Sequence, residues 1–518
     1  MKNDVKTDPR NTSGYVLDMP YTWSFFGYQS PVLMSYAAAL RGVAAPSPNK
    51  QFTYCDLGCG NGVTVNLLAA SFPHATFYGI DFNPEHIANA RALAQKAGLK
   101  NVSFLDASFE EMQRIELPGF DYIALHGVYS WVNADIRSQI HDVVDQFLNP
   151  GGLLYLCYYT HPGASELLPL WKLLQSYMSN LEGDLVSKAQ TALQGMLDSR
   201  RAGSRFFREN PYANRYVDKL TRRDIRFFIH EFCNGAFEPQ FFSDVANGFA
   251  KQGLSFAASA RLDHNKMENL VQRRNLERVE QAGDPVERET RLGFARNESF
   301  RWDIFAREGG ADHQDLDSWY FGARASASNL KGKVAAGRRE IDLEVEPYQT
   351  LLKVASPGTL TLAEMAAHPD LAKYDGKELR SCLHDLVATD SLQPQLTPAA
   401  SVRPEQGTLF RFSHPVSRAF IEDSLFSEGK VYVASPVTGS AMRLGFANGL
   451  FAMLSDGVPL SSVPGLVQQR LNALEPAERL RLLGDEGEVT EAWVKRAGMR
   501  FVTNYFPRMV QQEIFVPT

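Results

Sequence analysis

The sequence predicts an α/β fold with a doubly wound, mostly parallel sheet, and two observations support this prediction. Between residues 52 and 160, short β-prone runs alternate with segments whose apolar residues recur at helical spacing. This alternation is typical of parallel strands joined by crossover helices. A glycine-rich turn also separates the first strand from the first helix, where sheets of this kind bind ligands. We therefore expect a ligand-binding sheet in the first third of the 518-residue chain.

The strands and two of the crossover helices of this sheet can be assigned from local signals. One helix has Asn83 to cap its start, Pro84 in its first turn and Gly98 just past its end. A second helix is predicted over residues 135–148, and Asn149-Pro150-Gly151-Gly152 is expected to stop it. The predicted strands cover residues 52–56, 76–81, 102–105, 120–126 and 153–159.

Beyond residue 162 the pattern changes to long amphipathic helices through about residue 230, with a basic run at 200–226 that we interpret as a solvated helix face. The strand-like run 254–262 could return to the sheet, and the charged stretch 268–307 is predicted to be helical. A linker is expected at residues 325–339. A winged-helix-like module is then expected, with helices that begin at 348, 361 and 377 and a β-hairpin of strands 392–396 and 409–412. Residues 416–518 are expected to be mainly helical.

Composition excludes several classes of protein. With 44% hydrophobic residues the chain can fold into about three domains. Its 53 Lys and Arg against 59 Asp and Glu give a net charge of −6. This imbalance is too small to indicate a protein that coats polyanions or binds membrane surfaces. The five cysteines suggest neither a disulfide framework nor a zinc site, and we assign no metal. Residues 1–14 lack a signal-like apolar core, and no run is long enough to span a membrane, so we expect a cytoplasmic protein.

The motif that carries chemistry is Asp56-Leu57-Gly58-Cys59-Gly60-Asn61-Gly62, directly after the first strand. Its glycines are spaced G-x-G-x-G, whereas a dinucleotide site has G-x-G-x-x-G. The acid two residues before the first glycine would repel a pyrophosphate and attract an ammonium group. The motif therefore favours a ligand with a cationic amino-acid end.

Two further strand ends complete the predicted pocket. Asp81 can accept hydrogen bonds from both hydroxyls of a ribose, and Phe82 can cover an adenine. Asp106 can accept from an exocyclic amine, and the backbone of Ala107 can bind the ring. Together with Asp56, these carboxylates at three successive strand ends predict one pocket for an adenosine joined to an amino acid.

The order of glycine loop, ribose acid and adenine-contacting acid resembles the class I S-adenosylmethionine-dependent methyltransferases. The resemblance implies a Rossmann-like core of the seven-stranded type. It implies S-adenosyl-L-methionine as cofactor and S-adenosyl-L-homocysteine as product. The cofactor-binding residues would be Asp56, Gly58, Gly60, Gly62, Asp81, Phe82, Asp106, Ala107 and His126.

A narrower resemblance rests on motifs along residues 126–132, 158–163, 230–232 and 294–301, and on Tyr21 to Phe26 with Gln29 and Pro31. Their succession is similar to bacterial methyltransferases with a methyltransferase regulatory domain, among them the rickettsial protein lysine methyltransferases. Tyr159 and Ala164 depart from the Asn and Trp typical of that group. The resemblance, together with the large helical surface, implies a homodimer. The resemblance and the pattern of predicted elements together divide the chain into a core with an N-terminal lid, a helical insert with a regulatory-type domain, and winged-helix-like and helical modules. The expected boundaries are 1–165, 166–325, 340–415 and 416–518.

The acceptor is expected to be a lysine amine of a protein. Such an amine must first lose a proton, because its pKa of ~10.4 leaves the reactive form roughly 4.6 kcal/mol away at pH 7. Desolvation between aromatic walls, beside the cofactor's positive charge, would lower that pKa. The candidate catalytic residues are His126, Tyr129, Trp131, Tyr158, Tyr159 and His161.

Two alternatives stay open. The protein could be an O-methyltransferase acting on a glycan or small molecule, with His126 or His161 as base. It could also be a non-catalytic regulatory or scaffold protein that binds the cofactor. We expect no nucleic-acid partner, because the Asn/Asp-Pro-Pro-Tyr/Phe tetrapeptide is missing after the fourth strand. The third helix of the winged-helix-like module also has no net basic charge.

Overall fold

The computed structural model describes residues 23–222, 225–324, 330–356, 358–399, 407–483 and 489–518. Its centre is a seven-stranded sheet of order β3-β2-β1-β4-β5-β7-β6, in which β7 alone runs in the opposite direction to the other six strands. This confirms the predicted doubly wound, mostly parallel sheet. Its strands are β1 (Thr53–Leu57), β2 (Thr76–Asp81), β3 (Val102–Asp106), β4 (Phe120–Leu125), β5 (Leu148–Tyr159), β6 (Leu254–Ser259) and β7 (Phe300–Arg307).

Helices cover both faces of the sheet, α1 to α3 on one face and α4 and α5 on the other. In α3 the Asn83 side chain caps the amide of Glu85, and Gly98 ends the helix with φ of +66°, as predicted. The helix predicted over 135–148 is α5, which ends at Phe147 as expected to within one residue, and the segment 149–152 then belongs to β5. The five helices are α1 (Pro31–Leu40), α2 (Val63–Ser71), α3 (Pro84–Ala97), α4 (Phe109–Met112) and α5 (Ala134–Phe147).

A helical insert separates β5 from β6, and all of its helices but the last share an apolar core of their own, whereas the last packs in the same cluster as α5. This confirms the predicted helices through about residue 230. The basic run forms surface ion pairs such as Arg200–Asp218, at 2.7 Å between Nη1 and Oδ1, and residues 223–224 of it lie outside the described part. The insert comprises α6 (Leu167–Met178), α7 (Leu185–Arg201), α8 (Arg205–Glu209), α9 (Pro211–Leu220), α10 (Ile225–Phe232) and α11 (Phe242–Ala250).

The prediction of helix over 268–307 is wrong at its end. After α12 (Arg273–Glu280) and α13 (Pro285–Arg296), the chain forms β7, which is inserted between β5 and β6. The alternation Phe300, Trp302, Ile304 marks a strand, but Arg301 and Asp303 made it look solvated. In the fold these two side chains are buried and hydrogen-bonded to each other. The sheet therefore continues beyond the predicted core boundary at residue 165, and β6 returns to it as expected.

The three helices of the predicted winged-helix-like module are present, but its hairpin is wrong. β12 pairs with β8, and β13 pairs with the last strand of the chain, where Phe412 stacks on Phe515 at 4.4 Å between ring centroids. Residues 330–339 of the predicted linker hold β9 and the start of β10, which pair with each other; residues 325–329 lie outside the described part. The elements are β8 (Tyr320–Ala323), β9 (Lys333–Ala336), β10 (Arg339–Asp342), α14 (Tyr348–Ala355), β11 (Thr359–Thr361), α15 (Leu362–Ala366), α16 (Gly376–Ala388), β12 (Leu392–Gln395) and β13 (Phe410–Phe412).

The C-terminal elements are mainly helical, with an unpredicted hairpin of β14 and β15. They pack on the outer face of α2 and α3, where Leu67 and Leu93 join the same apolar cluster as Phe420 and Val431. Among the helices of the described ranges, none is long and apolar enough to cross a membrane. The elements are α17 (Pro415–Glu428), β14 (Lys430–Ser435), β15 (Ser440–Gly445), α18 (Phe446–Ser455), α19 (Val463–Asn472), α20 (Pro476–Leu483), α21 (Glu491–Arg500), α22 (Phe506–Gln511) and β16 (Phe515–Pro517).

Candidate functional site

A cavity of about 430 Å³ lies at the carboxyl ends of β1, β2 and β4, the edge at which sheets of this kind bind ligands. Its wall is formed by the glycine loop, the segments that follow β2, β3 and β4, and residues of the N-terminal segment. Two predicted cofactor residues, Gly62 and Asp106, lie outside this wall. The predicted residues that do line it are Asp56, Gly58, Gly60, Asp81, Phe82, Ala107 and His126.

The three glycines of the loop all have positive φ, but they serve two purposes. A Cβ atom on Gly58 would lie 2.7 Å from Cγ2 of Val128, and one on Gly62 would lie 2.4 Å from Cβ of Ala90. Those two positions allow close packing of neighbouring segments. A Cβ atom on Gly60 would meet nothing within 4 Å, so this residue faces open space in the cavity.

Asp56, near the end of β1, is a buried carboxyl group with one oxygen that has no hydrogen-bond partner among the described residues. Its side chain is part of the cavity wall, the residue is 2% exposed, and Oδ1 accepts no hydrogen bond. Burial, and secondly the charge of Asp81, raises the pKa of this carboxyl to about 8. A cation in the cavity would stabilise the charged form and supply the missing partner. The residue therefore fits the amino group of the amino-acid end predicted for the ligand.

Asp81 is held in place by the backbone of its neighbours. Its Oδ2 accepts from the amide of Gly60 at 2.9 Å, and its Oδ1 accepts from the amide of Asn83 at 2.9 Å. An ionised carboxylate has about four acceptor sites, so lone pairs remain for the hydroxyls of a ribose. Phe82 follows in the wall, next to where an adenosine would lie. The residues present thus fit both ends of S-adenosylmethionine.

The two residues predicted to bind the adenine ring differ in their placement. Asp106 pairs in register with Asp81 and is exposed, so its contact with a ligand stays a prediction. The amide of Ala107 donates to the carbonyl oxygen of Asp81 at 3.1 Å. The amide of Ala107 is therefore used within the fold, the predicted contact of its backbone with the ring stays a prediction, and Ala107 contributes a small buried side chain to the wall.

His126 is the one predicted catalytic residue that lines the cavity. Its ring stacks on Phe26 at 4.0 Å between centroids, and its Nδ1 is 2.9 Å from the hydroxyl oxygen of Tyr155. Burial lowers the pKa of His126 to about 3, so it is neutral at pH 7 and a weak base. Its neighbours Phe26 and Gln29 also line the cavity, which places the N-terminal segment over the site.

Three other predicted catalytic residues are buried in the packing around the sheet and lie outside the cavity wall. The Tyr129 hydroxyl is 2.9 Å from Nε2 of a neighbouring histidine, His141. Trp131 stacks on an insert residue at 4.7 Å between ring centroids, and the Tyr158 hydroxyl donates to Oδ2 of Asp303 at 2.7 Å. These side chains contact other parts of the fold and do not line this cavity, and their role in an acceptor channel stays a prediction.

The last two candidates lie at and just beyond the carboxyl end of β5, next to the helical insert. The Tyr159 hydroxyl donates to Oε2 of Glu231 at 2.6 Å and lies 2.7 Å from the hydroxyl of Tyr216. His161 is half-buried, with Nδ1 2.7 Å from Oγ of Ser165, and burial lowers its pKa. Neither residue reaches the cavity wall. Within the described ranges, no group of three or more His, Cys, Asp or Glu could hold a metal ion.

Sequence reasoning missed part of the wall. Gln29 is buried and accepts a hydrogen bond at Oε1 from the Tyr54 hydroxyl at 3.2 Å; the sequence named it only within the N-terminal segment of the family resemblance and not as a site residue. His86 also lines the cavity. A signal for it was available, because it lies in the first turn of the helix that follows Asp81.

Comparison with known proteins agrees with this site. A family model described as a methyltransferase domain matches residues 48–208, which include the cavity residues from Asp56 to Gln139. A second, described as a predicted methyltransferase regulatory domain, matches residues 224–307, which end with β7. The two matches follow one another along the chain, in the order that the motifs suggested.

Relatives extend the likeness over most of the chain. An uncharacterized protein of Synechocystis sp. is 32% identical over 443 residues, which are 83% of this chain and 85% of that protein. An uncharacterized protein of Rickettsia prowazekii is 25% identical over 317 residues, 58% of this chain and 52% of that protein. The structure of PKMT2 from Rickettsia typhi in complex with AdoHcy superposes with a TM-score of 0.72 at 18% identity, covering 96% of this chain and 100% of that one.

The orphaned carboxylate of Asp56, the anchored carboxylate of Asp81 and the matched domains agree on the type of ligand. The structural likeness adds that the fold is shared beyond the sheet, through the insert and the C-terminal elements. The chain belongs to the S-adenosylmethionine-dependent methyltransferases in which a methyltransferase domain is followed by a methyltransferase regulatory domain.

Proposed function

We propose that the protein transfers the methyl group to lysine amines of a protein substrate. The observation that carries this proposal is the extent of the fold shared with PKMT2, which covers the whole of that chain and 96% of this one. The motifs that resemble the rickettsial protein lysine methyltransferases support it. Similarity of the sheet alone would not indicate which group accepts the methyl, since cores of this kind act on many substrates.

The residues of the cavity have a limited task in this reaction. S-adenosylmethionine, when bound, supplies a methyl group that is already activated on a sulfonium. Asp56 would bind its amino group, Asp81 its ribose, and Phe82 would cover its adenine. What the protein must then do is hold the acceptor nitrogen in line and exclude water.

The proton of a lysine acceptor does not go to His126. With a pKa of about 3 for His126 and ~10.4 for a free lysine, that transfer is unfavourable by about 10 kcal/mol. The amine must instead lose its proton to solvent as it is desolvated. The O-methyltransferase alternative takes His126 or His161 as its base, and it is disfavoured because His126 is a weak base and His161 does not line the cavity.

Glu231 is a group at the same sheet edge that suits a cationic acceptor. It accepts a hydrogen bond from the hydroxyl of Tyr159, which lies at the end of β5. That strand is the neighbour of β4, which leads into the cavity. A carboxylate at this place attracts a lysine side chain towards the edge. We include Tyr159 and Glu231 in the proposal as acceptor-positioning residues.

The test is incubation of the protein with methyl-labelled S-adenosylmethionine and an extract of its own cells, followed by mass spectrometry of the labelled product. Methyl-lysine in protein is the expected result. Label only in glycans or small molecules, or no label from a protein that binds S-adenosylhomocysteine, would contradict the proposal. Asp81→Ala should abolish labelling, whereas Asp370→Asn, at an exposed residue far along the chain, should leave it unchanged.

A further inference from the structure

His86 in the cavity wall has hydrogen-bonding atoms that the protein leaves unused. The residue is in the first turn of α3, is 1% exposed and lines the cavity. Both Nδ1 and Nε2 are buried without a hydrogen-bond partner, and Nδ1 lies 3.4 Å from Oδ1 of Asp81. Among the residues that the structure describes, it is the histidine with both ring nitrogens in this state.

Such an arrangement is unfavourable unless something else supplies the partner. A buried polar group without a hydrogen bond costs about 1–3 kcal/mol, and folded proteins contain few of them. The histidines of the surrounding packing show the usual situation, because His126 bonds to Tyr155 and His141 to Tyr129. Since the ring of His86 borders a ligand cavity, the missing partner is expected to be a group of the ligand.

The neighbouring carboxylate indicates which group this is. A carboxylate such as that of Asp81 only accepts hydrogen bonds, whereas an imidazole can donate from one of its nitrogens. A hydroxyl group can donate to Asp81 and at the same time accept from His86. An amine or ammonium of the ligand could satisfy Asp81 but could not accept a proton from the imidazole.

We propose that His86 and Asp81 together bind one hydroxyl group of the cofactor's ribose. His86 is then a specificity-determining residue, because a deoxyribose would leave its ring nitrogen unsatisfied in the loaded site. The inference rests on cofactor binding and is independent of the acceptor, so it survives if the substrate proves not to be lysine.

The test is a double-mutant cycle between protein and ligand. Isothermal titration measures S-adenosylhomocysteine and its 2′-deoxy and 3′-deoxy analogues on the wild type and on His86→Phe, which keeps a ring but removes both nitrogens. We expect the variant to bind S-adenosylhomocysteine about tenfold more weakly. For one of the deoxy analogues the same substitution should change the affinity less than twofold, because the shared hydroxyl is gone.

Equal losses for all three ligands would overturn the proposal, since His86 would then contact another part of the cofactor or act through the fold. No loss for S-adenosylhomocysteine would overturn it as well. His86→Leu repeats the cycle with a helix-favouring side chain, and thermal unfolding of each empty variant shows that it is folded. His313→Phe, at an exposed residue, is the control for the introduction of a phenylalanine and should match the wild type with every ligand.

Discussion

Two regions of this protein bury carboxylates in opposite ways. In the network around β7, Asp303 is 1% exposed and accepts hydrogen bonds from Arg301 and from the Tyr158 hydroxyl. In the cofactor cavity, Asp56 is 2% exposed and its Oδ1 accepts none. Burial raises both pKa values, to about 6 for Asp303 and to about 8 for Asp56, and the partners of Asp303 account for its smaller rise.

The difference separates acidic groups that stabilise the fold from an acidic group whose partner is expected to be the ligand. Arg301 also bonds to Glu298 at 3.0 Å and to Glu289 at 3.2 Å, so the network satisfies itself. The cavity has no such cation beside Asp56 among its wall residues, where Arg114 at the rim pairs with Glu110. A buried carboxylate whose partners are missing is therefore a better guide to function here than one with a large number of bonds.

The largest expected effect comes from breaking the self-satisfied network. Arg301→Met leaves the buried carboxylates of Asp303 and Glu289 without their cation, whereas Glu298 keeps Arg296, and it should lower the free energy of unfolding by about 3–5 kcal/mol. Urea denaturation followed by circular dichroism measures this. Arg273→Met removes an arginine whose side chain is 93% exposed, and it should change stability by less than about 0.5 kcal/mol. A loss below about 1 kcal/mol for Arg301→Met would show that this network does not hold the fold together.

The glycine loop allows the same comparison within five residues. Gly62→Ala adds a methyl group that would clash with Ala90 and is strained by a φ of +66°, so it should destabilise the protein by about 2–4 kcal/mol. Gly60→Ala adds one in open space and should lower stability by only about 1–2 kcal/mol. Its larger effect should be on S-adenosylhomocysteine affinity. The opposite ranking of stabilities, by thermal unfolding, would show that the two roles are assigned the wrong way round.

The ribose anchor tests the ligand side of the comparison. Asp81→Ala removes a charged acceptor of ribose hydroxyls, and hydrogen bonds to charged groups contribute about 1.5–3 kcal/mol each, so the affinity for S-adenosylhomocysteine should fall at least about tenfold. Isothermal titration measures it, with Asp370→Asn as the unaffected control. If Asp81→Ala binds S-adenosylhomocysteine with wild-type affinity, the cofactor site does not lie at this edge of the sheet.

How much of this was predictable follows from how local each signal is. The caps of α3 and the acids at the ends of β1 and β2 are encoded by a few neighbouring residues, and they were located correctly. The strand β7 was missed because Arg301 and Asp303 form a pair that sequence reasoning takes for solvated charges. The pairing of β13 with β16 joins residues about a hundred positions apart, which no local pattern reports.

The catalytic candidates show the same limit within the site. An aromatic side chain at a strand end can face a ligand or the packing, and only tertiary contacts decide between them. Tyr158 meets Asp303 and Trp131 meets Phe237, so both are used by the fold. The covering residues Phe26 and Gln29 come from a segment far from the motif and could be named only through a family resemblance.

The central claim is that the Asp56 carboxyl binds the ammonium group of the ligand, and proton release on ligand binding tests this claim most directly. With a pKa of about 8, the carboxyl is about nine-tenths protonated at pH 7 in the empty protein, and it must ionise when it binds the ligand's ammonium group. Titration of S-adenosylhomocysteine in buffers of different ionisation enthalpy should show release of close to one proton by the wild type and almost none by Asp56→Asn, which should bind about tenfold more weakly. Equal proton release by the two proteins, or no binding by the folded wild type, would contradict it.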